Sequence, residues 1–83
     1  MEEYLITARS VTQAQRMAQL LERRGVRAVV GRVPMGLTGK GCGYVLRLPA
    51  SRAPEAAVLL RSLGIGPLRV FQRQGSAYSE VEI

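Results

Sequence analysis

The chain contains no histidine, no aspartate and only one cysteine among its 83 residues. Without histidine or a second cysteine, Cys42 has neither an imidazole base nor a partner for an intramolecular disulfide or a metal site. The remaining acid–base candidates away from the termini are Glu22 and Glu55, and both fall on predicted helix surfaces where solvation is the default. We therefore expect a protein that is not an enzyme, and we expect no cofactor and no bound metal.

Long apolar runs are also missing, and the first residues are acidic rather than basic. A signal peptide needs a basic start followed by an apolar stretch, and a membrane span needs roughly 20 apolar residues. A single unpaired cysteine is typical of a reducing compartment. These observations predict a cytoplasmic protein without a membrane segment.

Positive charge is abundant, because 12 Lys and Arg residues stand against 6 acidic ones, for a net charge of +6. All of these basic residues except Lys40 are arginine, which stays charged and binds oxyanions through a planar fork. Such a chain suits an anionic group or an acidic partner. A solvated basic surface explains the same composition, so this alternative stays open.

Apolar periodicity predicts two strand–helix–strand units in succession. The four predicted strands are residues 4–8, 26–31, 44–48 and 68–73. The first predicted helix is capped by Ser10 and ends at Gly25, and the second opens at Ser51 and ends at Gly64. Two such units predict an α+β fold of the ferredoxin-like βαββαβ type. It is a two-layer sandwich in which both helices cover one face of a four-stranded antiparallel sheet.

The predicted ferredoxin-like domain is a single one and covers residues 1–75. Residues 76–83 are predicted to form a loosely held C-terminal tail, with the alternative that Val81 and Ile83 pair at a sheet edge. A core of this size stabilises a fold only modestly, so a homodimer is also compatible with the sequence.

Cys42 lies in a glycine-rich loop between the second and third predicted strands. Its neighbours Gly41 and Gly43 lack the side chains that would shield the thiol. Nearby positive charge would lower the pKa of a thiol from about 8.5 and raise the fraction of reactive thiolate. Two alternatives stay open: a free cysteine often acts as a small buried hydrophobe, and the glycines serve any turn that needs positive φ angles.

The predicted topology surrounds Cys42 with basic and polar groups. The third strand runs antiparallel beside the first, so it starts where the first strand ends and the first helix begins. The free N–H groups at a helix N-terminus carry a partial positive charge that favours an anion. The residues predicted to surround the thiol are Arg9, Ser10, Thr12, Arg32, Lys40, Gly41 and Gly43.

The order of a strand, a serine turn, a helix, a proline loop and a Cys-Gly strand start resembles a family of small proteins, the selenium/sulfur carrier protein-like family. The resemblance spans residues 4–73. Its most specific parts are Val33-Pro34 and Cys42-Gly43, the latter followed by an apolar strand.

This resemblance implies a carrier that holds sulfur or selenium on Cys42 as a persulfide or perselenide. It implies a donor such as a cysteine desulfurase and an acceptor protein that takes the atom over. Family members commonly carry arginine where this chain has Met35, and Arg32 is the candidate substitute.

A basic sheet face supports a second hypothesis, an RNA-binding or protein-interaction module. The arginines that could project from the uncovered face are Arg27, Arg47, Arg69 and Arg73. RNA recognition on such a sheet stacks bases on several aromatic side chains of the central strands, and these strands offer only Tyr4 and Tyr44, both predicted to face the core. The carrier hypothesis therefore comes first.

Overall fold

A computed structural model describes residues 3–33, 43–65, 68–75 and 77–81. Within them the chain forms β1 (Glu3–Ala8), α1 (Val11–Glu22), β2 (Val29–Arg32), β3 (Tyr44–Pro49), α2 (Ala53–Ser62), β4 (Val70–Gln74) and β5 (Ala77–Val81). The strands form one antiparallel sheet in the order β2-β3-β1-β4-β5. The fold is therefore α+β, with two helices and five strands.

The predicted α+β class and its two helices are confirmed, but the predicted count of four strands is wrong. Part of the predicted tail forms β5, which pairs with β4 and brings Val81 opposite Val70. Gly75 adopts a positive φ of 63° between the two strands, a conformation that suits a tight turn. The sheet matches the four-stranded ferredoxin-like prediction only in part, because this hairpin extends it beyond β4.

The central strand β1 separates two apolar clusters, because successive side chains of a strand point to opposite faces. Ile6 and Ala8 lie in the larger cluster, on the side of the helices. The helix residues buried in that cluster are Ala14, Met17 and Leu21 of α1 and Ala53, Ala56 and Leu60 of α2. Both helices thus cover the same face of the sheet, as predicted.

The opposite face of the sheet carries a smaller apolar cluster, and none of its described residues comes from a helix. Leu5, Val45 and Phe71 are buried there, and the half-buried Val33 and Tyr78 pack against them. We call this side of the sheet the open face. It is closed to solvent at its centre even though no described helix covers it.

The two helices differ in how they begin. Ser10 caps α1 as predicted, whereas a short 3₁₀ turn at Ala50–Arg52 precedes α2, whose N-cap is Arg52 and has no side-chain capping bond. Arg52 instead donates a hydrogen bond from Nη2 to the carbonyl oxygen of Gly25 at 3.0 Å, which joins the start of α2 to the end of α1. In the described part of the chain, neither helix has the length and apolar character needed to span a membrane.

Candidate functional site

The first helix begins directly where β1 ends, and a pair of side-chain contacts fixes this turn. Ser10 is extended, and its Oγ accepts a hydrogen bond from the Gln13 N–H at 3.1 Å. The Gln13 Oε1 accepts a hydrogen bond from the Arg9 N–H at 2.7 Å. These contacts form a capping box displaced by one residue, and they leave the N–H groups of Val11 and Thr12 without an acceptor among the described residues.

Gly43 brings the start of β3 against this turn. Its carbonyl oxygen accepts a hydrogen bond from the Val33 N–H at 3.3 Å. A Cβ atom on Gly43 would lie 3.2 Å from the Ala8 carbonyl oxygen and 3.2 Å from Val33 Cγ2. Its φ is not positive, so close packing explains the glycine here and a left-handed turn does not.

Arg32 ends β2 at the same end of the sheet. The register sets Arg32 opposite Tyr44 and Tyr44 opposite Ala8, so Arg32 and Ala8 are two strand spacings apart, about 10 Å. Arg32 stands two residues after Val30, which packs against the helix-side core. The alternation of the strand therefore directs the exposed Arg32 to the face on which α1 begins.

Among the described residues, negative charge is sparse around this end of the sheet. The described glutamates at the opposite end are Glu3, Glu22 and Glu55. Glu80 is engaged on the open face, where it accepts hydrogen bonds from Nε and Nη2 of Arg69, both at 3.1 Å. Arg9 and Arg32 are exposed and have no acidic partner in the part of the chain that the structure describes. The described residues around Gly43 are accordingly basic.

The structure gathers five of the predicted site residues at this end: Arg9, Ser10, Thr12, Arg32 and Gly43. Cys42, Lys40 and Gly41 lie outside the described residues, and so does Met35. The assignment of all eight site positions to thiol chemistry stays a prediction. Sequence reasoning did not assign a site role to Gln13, although a capping-box pattern signals its contact with the turn.

The arginines of the RNA hypothesis are not equivalent in the structure. The guanidinium of Arg69 is bound by Glu80 and lies 5.3 Å from the centre of the Phe71 ring. Phe71 is only 5% exposed, and Tyr78 is half-buried against the same cluster. Sequence reasoning missed both aromatics on the open face, but Phe71 is too deeply packed for a base to stack on it.

The other three arginines surround a depression at the opposite end of the open face. Arg73 lies with Nη1 3.5 Å from Oε1 of Glu3. Arg27 and Arg47 have no ion pair among the described residues. The depression has a volume of about 820 Å³ and is lined by the three arginines and by Glu3. The spacing of the arginines along the sequence gave no sign that they share one concave surface.

A family model described as "Putative Se/S carrier protein-like" matches residues 3–72 of the chain. The match runs from β1 into β4 and includes Cys42, so it covers most of the chain and confirms the family resemblance. No curated protein and no solved structure matches the chain.

Proposed function

Because the chain belongs to the Se/S carrier protein-like family, we propose that it carries sulfur or selenium on Cys42 as a persulfide or perselenide. One observation supports the role of this cysteine most directly. The next residue, Gly43, packs against the Ala8 carbonyl oxygen at the end of β1, where α1 begins. Cys42 is the residue bonded directly to Gly43, and this supports a role for its thiol at this end of the sheet.

The chemistry follows from the charges that surround this attachment point. The free N–H groups of Val11 and Thr12 and the side chains of Arg9 and Arg32 supply positive charge, which favours a thiolate over a thiol. A thiolate is the nucleophile in sulfur exchange, so a carrier with a lowered thiol pKa needs no general base.

Loading and delivery are the same exchange in opposite directions. The Cys42 thiolate attacks the outer sulfur of a donor persulfide, the new S–S bond forms, and the donor S–S bond breaks with the donor cysteine leaving as a thiolate. An acceptor thiolate then attacks the outer sulfur on Cys42 and releases the Cys42 thiolate. With only one cysteine in the sequence, no second thiol of the same chain attacks the persulfide and releases sulfide.

The carrier role requires partner proteins that donate and accept the sulfur. It requires no chemistry beyond the persulfide exchange. We propose a donor such as a cysteine desulfurase and a separate acceptor, both in the cytoplasm, and we do not class the chain as an enzyme. Sulfur and selenium share the proposed mechanism, because a perselenide forms by the same displacement at selenium.

Intact-mass analysis after incubation with a cysteine desulfurase and cysteine tests the proposal. We expect the protein to gain the mass of one sulfur atom, and we expect Cys42→Ala to gain none. The absence of an adduct under conditions that load a known carrier would overturn the carrier function.

The basic surroundings of the thiol are tested separately by its rate of alkylation as a function of pH. We expect Arg9→Ala and Arg32→Ala each to raise the thiol pKa and slow alkylation at neutral pH by roughly twofold or more. Arg16→Ala removes an exposed arginine from the middle of α1 and is the matched control. A thiol pKa equal to that of free cysteine in the unmodified chain would contradict this arrangement.

A further inference from the structure

The depression on the open face lies at the end of the sheet opposite to Gly43. Glu3 stands opposite both Pro49 and Arg73, and all three line the depression. It therefore crosses β3, β1 and β4, and Arg27 and Val29 extend it to β2.

The charge of this depression is unbalanced. Glu3 supplies the only carboxylate among the described residues of its lining and contacts Arg73, and this leaves Arg27 and Arg47 without a described acidic partner. Arg47 lies across the neighbouring strand, because a Cβ on Gly31 would be only 3.8 Å from the Arg47 Nε atom. The surface thus offers two uncompensated guanidinium groups beside the outermost strand.

The shape of the depression suits an extended chain. Strand β2 is at the edge of the sheet, and no described strand pairs with its outer side. The backbone of an edge strand can pair with an added strand, and side-chain pockets beside it provide specificity. Val29, in this edge strand, is 58% exposed and gives the depression an apolar contact surface.

We propose that this depression docks an extended acidic segment of a partner protein. The carboxylates of the segment bind Arg27 and Arg47, its backbone follows β2, and an apolar side chain covers Val29. This docking uses no step of the sulfur exchange, so it goes beyond the carrier function and stands independently of it.

Two other occupants fit these observations less well. Nucleic acid fits less well because none of the described residues that line the depression is an aromatic on which a base could stack. A second copy related by two-fold symmetry would set the same arginines against each other, in a chain that already carries a charge of +6.

The probe for this proposal is a fluorescein-labelled octapeptide of alternating glutamate and valine, titrated by fluorescence anisotropy. The protein is the full chain with Cys42→Ser, so that failure of the carrier chemistry does not affect the result. We expect binding that weakens with salt and that is lost with the corresponding glutamine–valine peptide. Failure of the acidic peptide to bind would overturn the proposal.

Charge variants locate the binding. We expect Arg27→Glu with Arg47→Glu to weaken the affinity about tenfold or more, and Arg27→Gln with Arg47→Gln to weaken it less. The matched pair Arg16→Glu in α1 and Arg23→Glu at its C-cap makes the same change of net charge, and it should alter the affinity by less than about twofold at 0.15 M salt. An equal loss from both reversed pairs would overturn the proposal in favour of unspecific attraction.

Amide chemical shifts complete the test. We expect the peptide to move the resonances of residues 27–31 and 47–49, and shifts confined to α1 would contradict the proposed surface. Tighter binding of an octauridylate at the same residues would identify RNA as the occupant and overturn the proposal of an acidic segment. Self-association of the protein through these residues in the absence of peptide would identify a second copy as the occupant and would also overturn the proposal.

Discussion

Gly43 occupies a position where a side chain would be crowded. The Ala8 carbonyl oxygen and Val33 Cγ2 both lie 3.2 Å from the place of a Cβ atom, closer than an ordinary van der Waals contact. Close packing thus favours glycine at this position, whether or not the absence of a side chain also exposes the thiol of Cys42. Packing explains this glycine without any reference to sulfur chemistry.

We predict that Gly43→Ala lowers the free energy of unfolding by about 1–3 kcal/mol, because the start of β3 and the end of β1 must move apart to accept a methyl group. The control is Gly31→Ala, whose new Cβ would be 3.8 Å from its nearest neighbour and should change stability by less than about 0.5 kcal/mol. Urea denaturation measures both variants. Equal stability of the two would show that the strands adjust without cost.

At the level of whole elements, the turn between β1 and α1 depends on one side-chain hydroxyl. Ser10 Oγ accepts a hydrogen bond from the Gln13 N–H, whereas Ser51, where the sequence predicted the second helix to open, lies within a 3₁₀ turn and caps nothing. We predict that Ser10→Ala destabilises the fold by about 1 kcal/mol and that Ser51→Ala changes stability by less than about 0.5 kcal/mol. A thermal denaturation series compares them, and a larger effect at Ser51 would contradict the assignment of the caps.

The β4–β5 hairpin carries an ion pair that depends on pH. The hydrogen bond from Arg69 lowers the pKa of Glu80 below the usual value of a glutamate. Because the pKa is lower in the folded chain, the pair stabilises the hairpin above the unfolded pKa of about 4.3, and this stabilisation is lost as the pH falls through the folded value.

We predict that Arg69→Gln raises the pKa of Glu80, measured from the carboxyl chemical shift during an acid titration. Arg73→Gln removes a neighbouring arginine that pairs with Glu3 instead, so it should leave the titration of Glu80 unchanged. A Glu80 that titrates identically in all three proteins would show that the pair does not persist in solution.

The elements that sequence predicted best are those with a strong apolar pattern. Strand β1, helix α1 and strand β3 lie close to their predicted bounds, because α1 buries one apolar stripe and the apolar residues of the two strands are buried on both faces of the sheet. Strand β5 was harder to predict, since an edge strand buries little and Ala77 and Ser79 are exposed. The start of α2 was misplaced because a contact distant in sequence, from Arg52 to Gly25, determines how the chain enters the helix.

In the candidate site too, some features could be predicted from the sequence and others could not. Topology alone predicted that the start of β3 meets the N-terminus of α1, and the register of Ala8 with Tyr44 agrees with that prediction. Periodicity along one strand contains no information on the depth or shape of a surface. The convergence of Arg27, Arg47 and Arg73 on one depression was therefore visible only in the folded structure.

On the scale of the whole molecule, the sheet buries apolar side chains on both of its faces. Leu5 is 1% exposed on the open face, although no described helix covers it. We predict that Leu5→Ala lowers the free energy of unfolding by about 2–4 kcal/mol. Val58→Ala on α2, at a side chain that is 65% exposed, should change stability by less than about 0.5 kcal/mol. Denaturant unfolding measures both, and a small effect at Leu5 would mean that the open face contributes little to the fold.

Strand β1 also sets a fixed separation between the two ends of the molecule. It runs from Glu3 beside the arginine depression to Ala8 beside Gly43, a rise of about 17 Å over five residue steps. A single partner that both docked at the first end and exchanged sulfur at the second would have to hold its reactive sulfur about 17 Å from its acidic segment. For such a partner, the length of β1 sets the spacing between the two contacts.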